Sequence, residues 1–246
     1  MNKKEFILEL SKLNIKVTNK ELEKLEIYYK FLKEYNSHTN LTSIIEKDLV
    51  YLKHFYDSLT INKALDLYKH ETLLDIGTGA GFPGMVIKIF YPHLKITLLD
   101  SNNKKIMFLK QLAEKLDLKD NLYIINARSE DYIKEKRDYF DIVTSRGVAD
   151  LKILLELSLP FAKLEGYVVP LKGNIKEELE SSKKVIDLLG GKLLKVINFK
   201  LPFENSNRNI PIIKKKCLTS PKYPRSYNLI IKKHLNLKVN AILDKS

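Results

Sequence analysis

One stretch of the chain, from Leu73 to Gly84, restricts the possible folds more than any other. It reads Leu-Leu-Asp-Ile-Gly-Thr-Gly-Ala-Gly-Phe-Pro-Gly, so a short apolar run meets an acidic residue and then four closely spaced glycines. Glycines permit tight turns and a close approach of the backbone to a ligand, and Pro83 suits the first turn of a helix. We therefore predict a strand, a ligand-binding loop and a helix whose free N–H groups point at the ligand.

The spacing of these glycines leaves the type of ligand open. It matches Gly-x-Gly-x-Gly from Gly77 and Gly-x-Gly-x-x-Gly from Gly79, so both a methyltransferase and a dinucleotide-dependent enzyme are possible. A third interpretation is a glycine-rich turn without any ligand. The strand predicted before the loop and the helix predicted after it argue against that interpretation.

Residues 1–68 have the apolar spacing of helices. Capping-box pairs at Thr18 with Glu21 and at Ser43 with Glu46 predict the starts of the second and third helices, and residues 35–42 are interpreted as a polar turn between them. We predict that the segment forms a helical cap on the domain that follows. The positions that repeat at steps of three and four are Phe6, Leu10 and Leu13, then Leu22, Leu25, Tyr29 and Leu32, then Leu49, Leu52, Tyr56 and Leu59.

From Thr72 onward, short aliphatic or β-branched runs alternate with amphipathic helices, which is typical of a parallel sheet with crossover helices. The last two runs flank a polar loop at 202–209 and predict an antiparallel hairpin. A plain dinucleotide domain usually ends its sheet in parallel, so this order favours a methyltransferase. The predicted strands cover 72–75, 95–99, 122–126, 140–145, 167–171, 191–197 and 210–218, and the predicted helices cover 84–91, 103–116 and 175–189.

These elements predict an α/β protein with a mostly parallel seven-stranded sheet, an antiparallel terminal hairpin and an N-terminal helical cap. We divide the chain into the cap at 1–68, a methyltransferase domain at 69–220 and a basic, loosely ordered C-terminal arm at 221–246.

In an open parallel sheet the ligand lies beyond the carboxyl ends of the strands. Asp100 ends the second strand, 19 residues after Gly81, where a carboxylate can accept both hydroxyls of a ribose. A helix N-cap is the alternative role for Asp100, and a solvated loop acid is the alternative for Glu130. The other candidates at strand ends are Asp75, Gly79, Ser129, Arg146 and Lys172.

The overall composition indicates a polyanionic partner. The chain has 43 Lys and Arg residues against 30 Asp and Glu residues, a net charge of +13, which favours nucleic acid. Cys217 is the single cysteine and the five histidines have no paired ligand spacing, so we expect neither a disulfide nor a metal site. Without an apolar leader or a run of ~20 apolar residues, the chain is expected in the cytoplasm and not in a membrane.

Several motifs occur in one order along residues 25–225. They are Asn-Leu-Thr (40–42), His-Phe-Tyr-Asp-Ser-Leu (54–59), Asp-Ile-Gly-Thr-Gly-Ala-Gly-Phe-Pro-Gly (75–84), Leu-Leu-Asp-Ser (98–101), Phe-Leu-Lys-Gln-Leu (108–112), Ala-Arg-Ser-Glu-Asp (127–131), Phe-Asp-Ile-Val-Thr-Ser-Arg (140–146) and Leu-Lys-Gly (171–173). Together they resemble the bacterial 16S rRNA guanine-N7 methyltransferase family RsmG, formerly GidB. The resemblance implies a class I fold that binds S-adenosylmethionine, releases S-adenosylhomocysteine and methylates a guanine of 16S rRNA, either free or in the small ribosomal subunit.

The resemblance also implies site residues. Gly77 and Phe82 match cofactor positions of the family, Ser129 and Glu130 match the pair that lines the adenine, and Arg146 matches a further binding-site position. The strand-end position adds Gly79 and Asp100 to the cofactor set. We expect Phe82 beside the cofactor and outside the core, because an aromatic face attracts a sulfonium.

The acceptor side is predicted to include Arg146 and Lys172, which would hold an RNA phosphate or guanine O6, although Lys172 is equally interpretable as a surface lysine. His54, Asp57 and Ser58 are expected to form a polar face of the cap over the cofactor, with a structural helix cap as the alternative. Guanine N7 has a free lone pair and no proton to remove, so we assign no catalytic base and expect positioning of an unpaired base to supply the rate.

The chain departs from the family pattern at Gly147 and Asp150, and in the tail, where Ser-Tyr-Asn-Leu-Ile-Ile-Lys-Lys (226–233) replaces a basic segment rich in proline and glycine. We expect a monomeric enzyme. A catalytically silent ribosome-assembly factor and, less favoured, a dinucleotide-dependent oxidoreductase are the alternatives.

Overall fold

The computed structural model describes residues 1–232. Its N-terminal part is helical. Thr18 and Glu21 form the predicted capping box, in which each side chain binds the other residue's backbone N–H, and an unpredicted box joins Asn2 and Glu5. The helices are α1 (Lys3–Ser11), α2 (Asn19–Thr39), α3 (Lys47–Val50), a π-helical segment (Tyr51–Tyr56), α4 (Asp57–Leu59) and 3-10 turns at Thr60–Lys63 and Leu67–Lys69.

Two details of the predicted cap are wrong. The polar segment after Tyr35 continues α2 to Thr39, and the chain turns only at Asn40, whose φ of 50° ends the helix. The capping box at Ser43 is absent because Glu46 itself caps α3, with its carboxylate accepting the backbone N–H groups of Asp48 and Leu49. The first error arises because polar residues that are common in turns are also tolerated on the exposed face of a helix.

Seven strands follow the helical part. They are β1 (Thr72–Ile76), β2 (Lys95–Asp100), β3 (Leu122–Asn126), β4 (Phe140–Arg146), β5 (Ala162–Leu171), β6 (Gly191–Lys200) and β7 (Asn207–Lys215). They form one sheet in the order β3-β2-β1-β4-β5-β7-β6. The first five strands in this order pair in parallel, and β7 runs antiparallel to both β5 and β6. This topology confirms the predicted class I methyltransferase fold.

The helices between the strands include two that the sequence did not predict, at Ser129–Lys136 and at Leu151–Ser158. The predicted hairpin is present, but β7 lies three residues earlier than expected, because Lys216 and Cys217 donate to the Gly190 carbonyl instead of continuing the ladder. The helices are α5 (Gly84–Phe90), α6 (Asn103–Lys115), α7 (Ser129–Lys136), α8 (Leu151–Ser158), a 3-10 turn (Leu159–Phe161), α9 (Lys176–Leu188) and α10 (Tyr227–Lys232).

Buried side chains cover both faces of the sheet. Along β1, Leu73 joins one apolar cluster and Leu74 joins another, as expected when successive side chains of a strand point to opposite faces. The first cluster includes Leu25 and Tyr28 of α2 together with Leu109 of α6. The cap therefore shares its core with the sheet domain.

The C-terminal segment differs from the predicted loose arm over the part that the structure describes. Arg225 pairs with Glu156 of α8, and Ile230 of α10 is 1% exposed against Ile153 and Leu157. Residues 233–246 of the predicted arm lie outside the described residues. Within residues 1–232, no helix is long and apolar enough to cross a membrane.

Candidate active site

The glycine loop follows β1 and is held in place by main-chain bonds. The N–H groups of Gly77 and Thr78 donate to the Leu99 carbonyl at the end of β2. Gly77 has a φ of +65°, a conformation that L side chains rarely adopt. A Cβ on Gly84 would lie 2.8 Å from Asp75 Oδ2, so glycine allows α5 to begin directly against β1.

Asp75 braces this loop from inside. Its Oδ2 accepts the Thr78 hydroxyl at 2.6 Å and the Gly84 N–H at 2.8 Å, whereas its buried Oδ1 has no hydrogen-bond partner. Complete burial raises the pKa of Asp75 to about 7. Asp75 therefore ties the two ends of the loop together.

Four predicted cofactor residues meet at one cavity beyond the strand ends, which we call the strand-end pocket. Gly77, Asp100, Ser129 and Glu130 line it, and its volume is about 120 Å³. Such a volume is smaller than the roughly 300 to 1,000 Å³ of typical ligand pockets, so this cavity fits one end of a cofactor. Its other lining residues include Ala127, Val148, Leu157 and Tyr227.

Asp100 connects the strand-end pocket to the glycine loop. Its Oδ2 accepts the Gly79 N–H at 3.0 Å, and its Oδ1 accepts the Asn102 N–H at 2.9 Å. The N-cap of α6 is Asn102, whose side chain accepts hydrogen bonds from the backbone N–H groups of Lys104 and Lys105. The alternative role of Asp100 as the helix cap is therefore wrong.

Ser129 and Glu130 are the first two residues of α7, a helix that the sequence did not predict. Their backbone N–H groups lie at the helix N-terminus, where the helix dipole is positive. Ser129 is buried, and Glu130 is partly exposed at the pocket. Glu130 is thus not a freely solvated loop acid.

Phe82 lies in the core, so its predicted place outside the core is wrong. It is 6% exposed, and its ring stacks between Tyr28 at 5.4 Å and His54 at 4.3 Å between centroids. The cation nearest the ring is the Arg146 guanidinium, at 5.2 Å. The cap covers both faces of the ring, and Phe82 does not line the strand-end pocket.

A second cavity, which we call the cap pocket, lies between the cap and the ends of β4 and β5. It has a volume of about 370 Å³, and His54 lines it together with six charged residues: Lys53, Asp57, Arg146, Lys172, Glu178 and Arg208. Gly147 lines the cap pocket, and the next residue, Val148, lines the strand-end pocket. Adjacent residues at the end of β4 therefore line the two cavities.

Arg146 joins the sheet to the cap. Its Nη1 donates to the Lys53 carbonyl at 2.7 Å and lies 3.2 Å from Asp57 Oδ2, and its Nη2 lies 3.1 Å from His54 Nδ1. Asp57 Oδ1 accepts from Arg208 Nε at 2.9 Å. Asp57 thus pairs with two arginines at the wall of the cap pocket.

His54 is neutral in this arrangement. Burial, and next the charge of Arg146, lower the pKa of His54 to about 3. Because a guanidinium only donates, Nδ1 accepts from Arg146 and Nε2 carries the hydrogen toward Thr42 Oγ1 at 3.1 Å. Ser58 faces away from both pockets and donates to the His54 carbonyl.

Comparison with known protein sequences identifies the family. Residues 21–210 match the family model GidB, described as rRNA small subunit methyltransferase G. The chain is 47% identical over 228 residues to the ribosomal RNA small subunit methyltransferase G of Bacillus licheniformis, covering 92% of this chain and 95% of that protein. The protein of the same name from Lactobacillus helveticus is 47% identical over 230 residues with the same coverage.

The chain belongs to the rRNA small subunit methyltransferase G family. This confirms the resemblance found in the motifs. Family membership excludes the less favoured alternative, a dinucleotide-dependent oxidoreductase.

Lys172 is not the free surface lysine that was the alternative interpretation. Its side chain is 14% exposed, and Nζ donates to the Ala149 carbonyl and lies 2.8 Å from Glu178 Oε2. The lysine thereby holds α9 against the loop after β4. Its contact with RNA stays a prediction.

The residues that the sequence analysis missed include Glu178, Arg208 and Tyr227, which line these pockets, and Tyr28, which stacks on Phe82. Tyr28 shares helical spacing with Leu25 and Leu32, so a different choice of apolar face would have found it. Nothing in the sequence distinguishes Arg208 from other basic residues, because its position depends on the pairing of β7. Tyr227 lies in the tail, which was expected to be loose.

Proposed function

We propose that the enzyme transfers a methyl group from S-adenosylmethionine, bound at the strand-end pocket and glycine loop, to N7 of a guanine of 16S rRNA held in the cap pocket. The observation that carries the proposal is that two adjacent residues, Gly147 and Val148, line the two cavities. Family membership supplies the class of reaction and the rRNA acceptor.

The residues present fit an adenosyl cofactor. Asp100 lines the strand-end pocket, where its carboxylate oxygens accept hydrogen bonds from ribose hydroxyls. The N-terminus of α7 lines the same pocket. A Cβ on Gly79 would meet nothing nearer than the Gly77 carbonyl at 3.9 Å, so the loop leaves open space along its own backbone. When bound, S-adenosylmethionine supplies a methyl group on a positively charged sulfur.

The cap pocket offers complementary groups for guanine. Glu178 uses Oε2 for the Leu151 N–H and for Lys172, and Oε1 makes no hydrogen bond with residues 1–232. A carboxylate oxygen in this position accepts from guanine N1–H and N2–H₂, whereas adenine lacks that pair of donors. We assign Lys172 the contact with O6 and Arg146 the task of holding the pocket wall.

No side chain is assigned as a base, because N7 carries a lone pair and no proton. His54 agrees with this chemistry: its Nδ1 lone pair is occupied by Arg146, and its Nε2–H is directed at Thr42. The rate then depends on holding N7 about 3 to 3.5 Å from the methyl carbon, in line with the bond that breaks.

We further propose that the enzyme works as a monomer, without a metal, in the cytoplasm. Attack by N7 requires no Lewis acid. Ribosomal RNA in the cytoplasm is the acceptor, either free or assembled into the small subunit.

The experiment compares Asp100→Ala with Asp131→Ala, an exposed acid of α7 that faces away from the pocket and pairs only loosely with Lys134 at 3.7 Å. Cells that lack the gene receive each variant, and mass spectrometry measures N7-methylguanine in 16S rRNA. We expect Asp131→Ala to restore the modification and Asp100→Ala to fail, with loss of S-adenosylmethionine binding in calorimetry.

Equal methylation by the two variants would refute the cofactor site. N7-methylguanine that is unchanged when the gene is deleted would refute the reaction. An assembly factor would instead correct the ribosome phenotype equally well with either variant.

A further inference from the structure

We propose that the C-terminal segment 221–232 forms the outer wall of the cofactor pocket, with Tyr227 presenting its ring to the adenine. Tyr227 is the first residue of α10 and lines the strand-end pocket beside Asp100, Ser129 and Glu130. The proposal rests on the proposed cofactor site. It concerns the segment in which the chain departs most from the family pattern.

The segment is anchored on α8 before Tyr227. Arg225 binds Glu156 through two side-chain contacts, Nε to Oε1 at 2.7 Å and Nη2 to Oε2 at 2.6 Å, and its backbone N–H donates to the same carboxylate. Glu156 is 1% exposed. A planar, two-point ion pair with a buried carboxylate fixes the position of the backbone, because separating the partners would leave the Glu156 charge buried and unpaired.

A second anchor follows Tyr227 three residues later. Ile230 is almost fully buried against Ile153 and Leu157 of α8. Leu157 also lines the strand-end pocket, so the helix that carries the anchor is itself part of the pocket. Tyr227 therefore lies between two fixed points, directly over the cavity.

The Tyr227 ring has a defined neighbour on the protein side. The Arg128 guanidinium carbon lies 5.3 Å from the ring centroid, and Arg128 also lines the pocket. A guanidinium attracts the face of an aromatic ring and limits its rotation. A planar, apolar surface at the mouth of a pocket suits a purine, which is itself planar and weakly hydrated on its faces.

Stacking of a base on an aromatic side chain is worth about 1 to 3 kcal/mol by alanine substitution. We expect Tyr227→Ala to raise the Kd for S-adenosylmethionine roughly 5- to 150-fold. The Kd for adenosine alone should rise by the same factor, because the lost contact is with the adenine. Tyr227→Phe should stay within about twofold of the unmodified chain.

Calorimetry on the full chain measures these affinities. The matched control is Leu229→Ala, since Leu229 belongs to the same helix but is 53% exposed and lines no part of the pocket. Thermal melting without ligand checks that each variant is folded. If Tyr227→Ala does not fold, Tyr227→Leu keeps the bulk while removing the ring, and the same loss of affinity is expected.

The outcomes separate this inference from the proposed function. Normal affinity in Tyr227→Ala, or in Tyr227→Leu where the first variant is unfolded, overturns the C-terminal wall if Asp100→Ala has lost binding. Normal affinity in Asp100→Ala overturns the cofactor site itself. An equal loss in Leu229→Ala would mean that α10 acts through its general fold, and it would also overturn the role of the Tyr227 ring.

Discussion

The Tyr28 side chain links the helical cap to the glycine loop, and its hydroxyl offers a precise test of that link. The ring is fully buried in α2, and the hydroxyl donates to the Ala80 carbonyl inside the loop. Burial raises the pKa of Tyr28 well above its ordinary value, so the hydroxyl keeps its proton. Tyr28→Phe removes one oxygen atom and leaves the stacking on Phe82 in place.

The expected cost follows from the group left behind. The Ala80 carbonyl loses its donor at a position that is 4% exposed, and an unsatisfied buried acceptor costs about 1 to 3 kcal/mol. For a chain of this size each kcal/mol lowers Tm by about 2 to 4 °C, so we expect a decrease of roughly 2 to 12 °C. Affinity for S-adenosylmethionine should also fall, because the glycine loop loses the hydrogen bond that holds it to α2.

Urea unfolding followed by circular dichroism measures the difference. The control is Tyr29→Phe, which removes the same atom from the next residue of α2, where the ring is only partly buried beside Lys47. We expect the free energy of unfolding of that control to stay within about 0.5 kcal/mol of the unmodified chain. If the two variants are equally stable, the hydroxyl does not connect cap and loop as inferred.

Three further predictions concern the buried polar groups and the loop. Asp57→Asn should lower the free energy of unfolding, measured in urea, by about 3 kcal/mol, because Arg146 and Arg208 lose the carboxylate that pairs with both. A decrease below about 1 kcal/mol would contradict this buried pairing. Between pH 6.5 and 3 the unfolded chain binds a proton at His54 that the folded chain does not bind, so the contribution of His54 to stability falls as pH falls. This contribution should decrease by about 2 kcal/mol between pH 7.5 and 5, and the difference between the unmodified chain and His54→Gln in urea titrations at each pH measures it. Gly84→Ala should cost about 1 to 3 kcal/mol, because its Cβ would crowd Asp75, whereas Gly173→Ala, where a Cβ meets nothing within 4 Å, should be neutral in the same assay.

Local sequence patterns were sufficient to predict most strands of the sheet. The strand Leu122–Asn126 and the loop from Gly77 to Gly84 were predicted within a residue, because aliphatic runs bounded by glycine or polar residues have few alternative structures in a parallel sheet. The ends of strands then placed Asp100, Ser129 and Glu130 at one edge, and the structure brings them to one cavity. That prediction needed only the rule that the carboxyl ends of parallel strands lie at the same edge of the sheet.

Other features depend on contacts between segments distant in the chain. Phe82 lies in the core because Tyr28 and His54 arrive from the cap, 54 and 28 residues earlier, and cover both faces of its ring. Arg146 and Asp57 form a buried pair for the same reason. Sequence periodicity assigns a side chain to a face of its own helix or strand, but it carries no information on which other segment covers that face.

The sequence by itself therefore determined the fold class, the cofactor loop, the family and the strand-end residues, since each follows from short-range spacing or a local motif. Tertiary structure alone decided that the cap shares a core with the sheet, that Arg146 binds the cap, and that Tyr227 returns to the pocket mouth. These depend on the burial of apolar surface and the pairing of charges across distant segments, as in the 151-residue separation of Asp57 and Arg208. Such pairings become favourable only when the complete core has brought the partners together and excluded water from them.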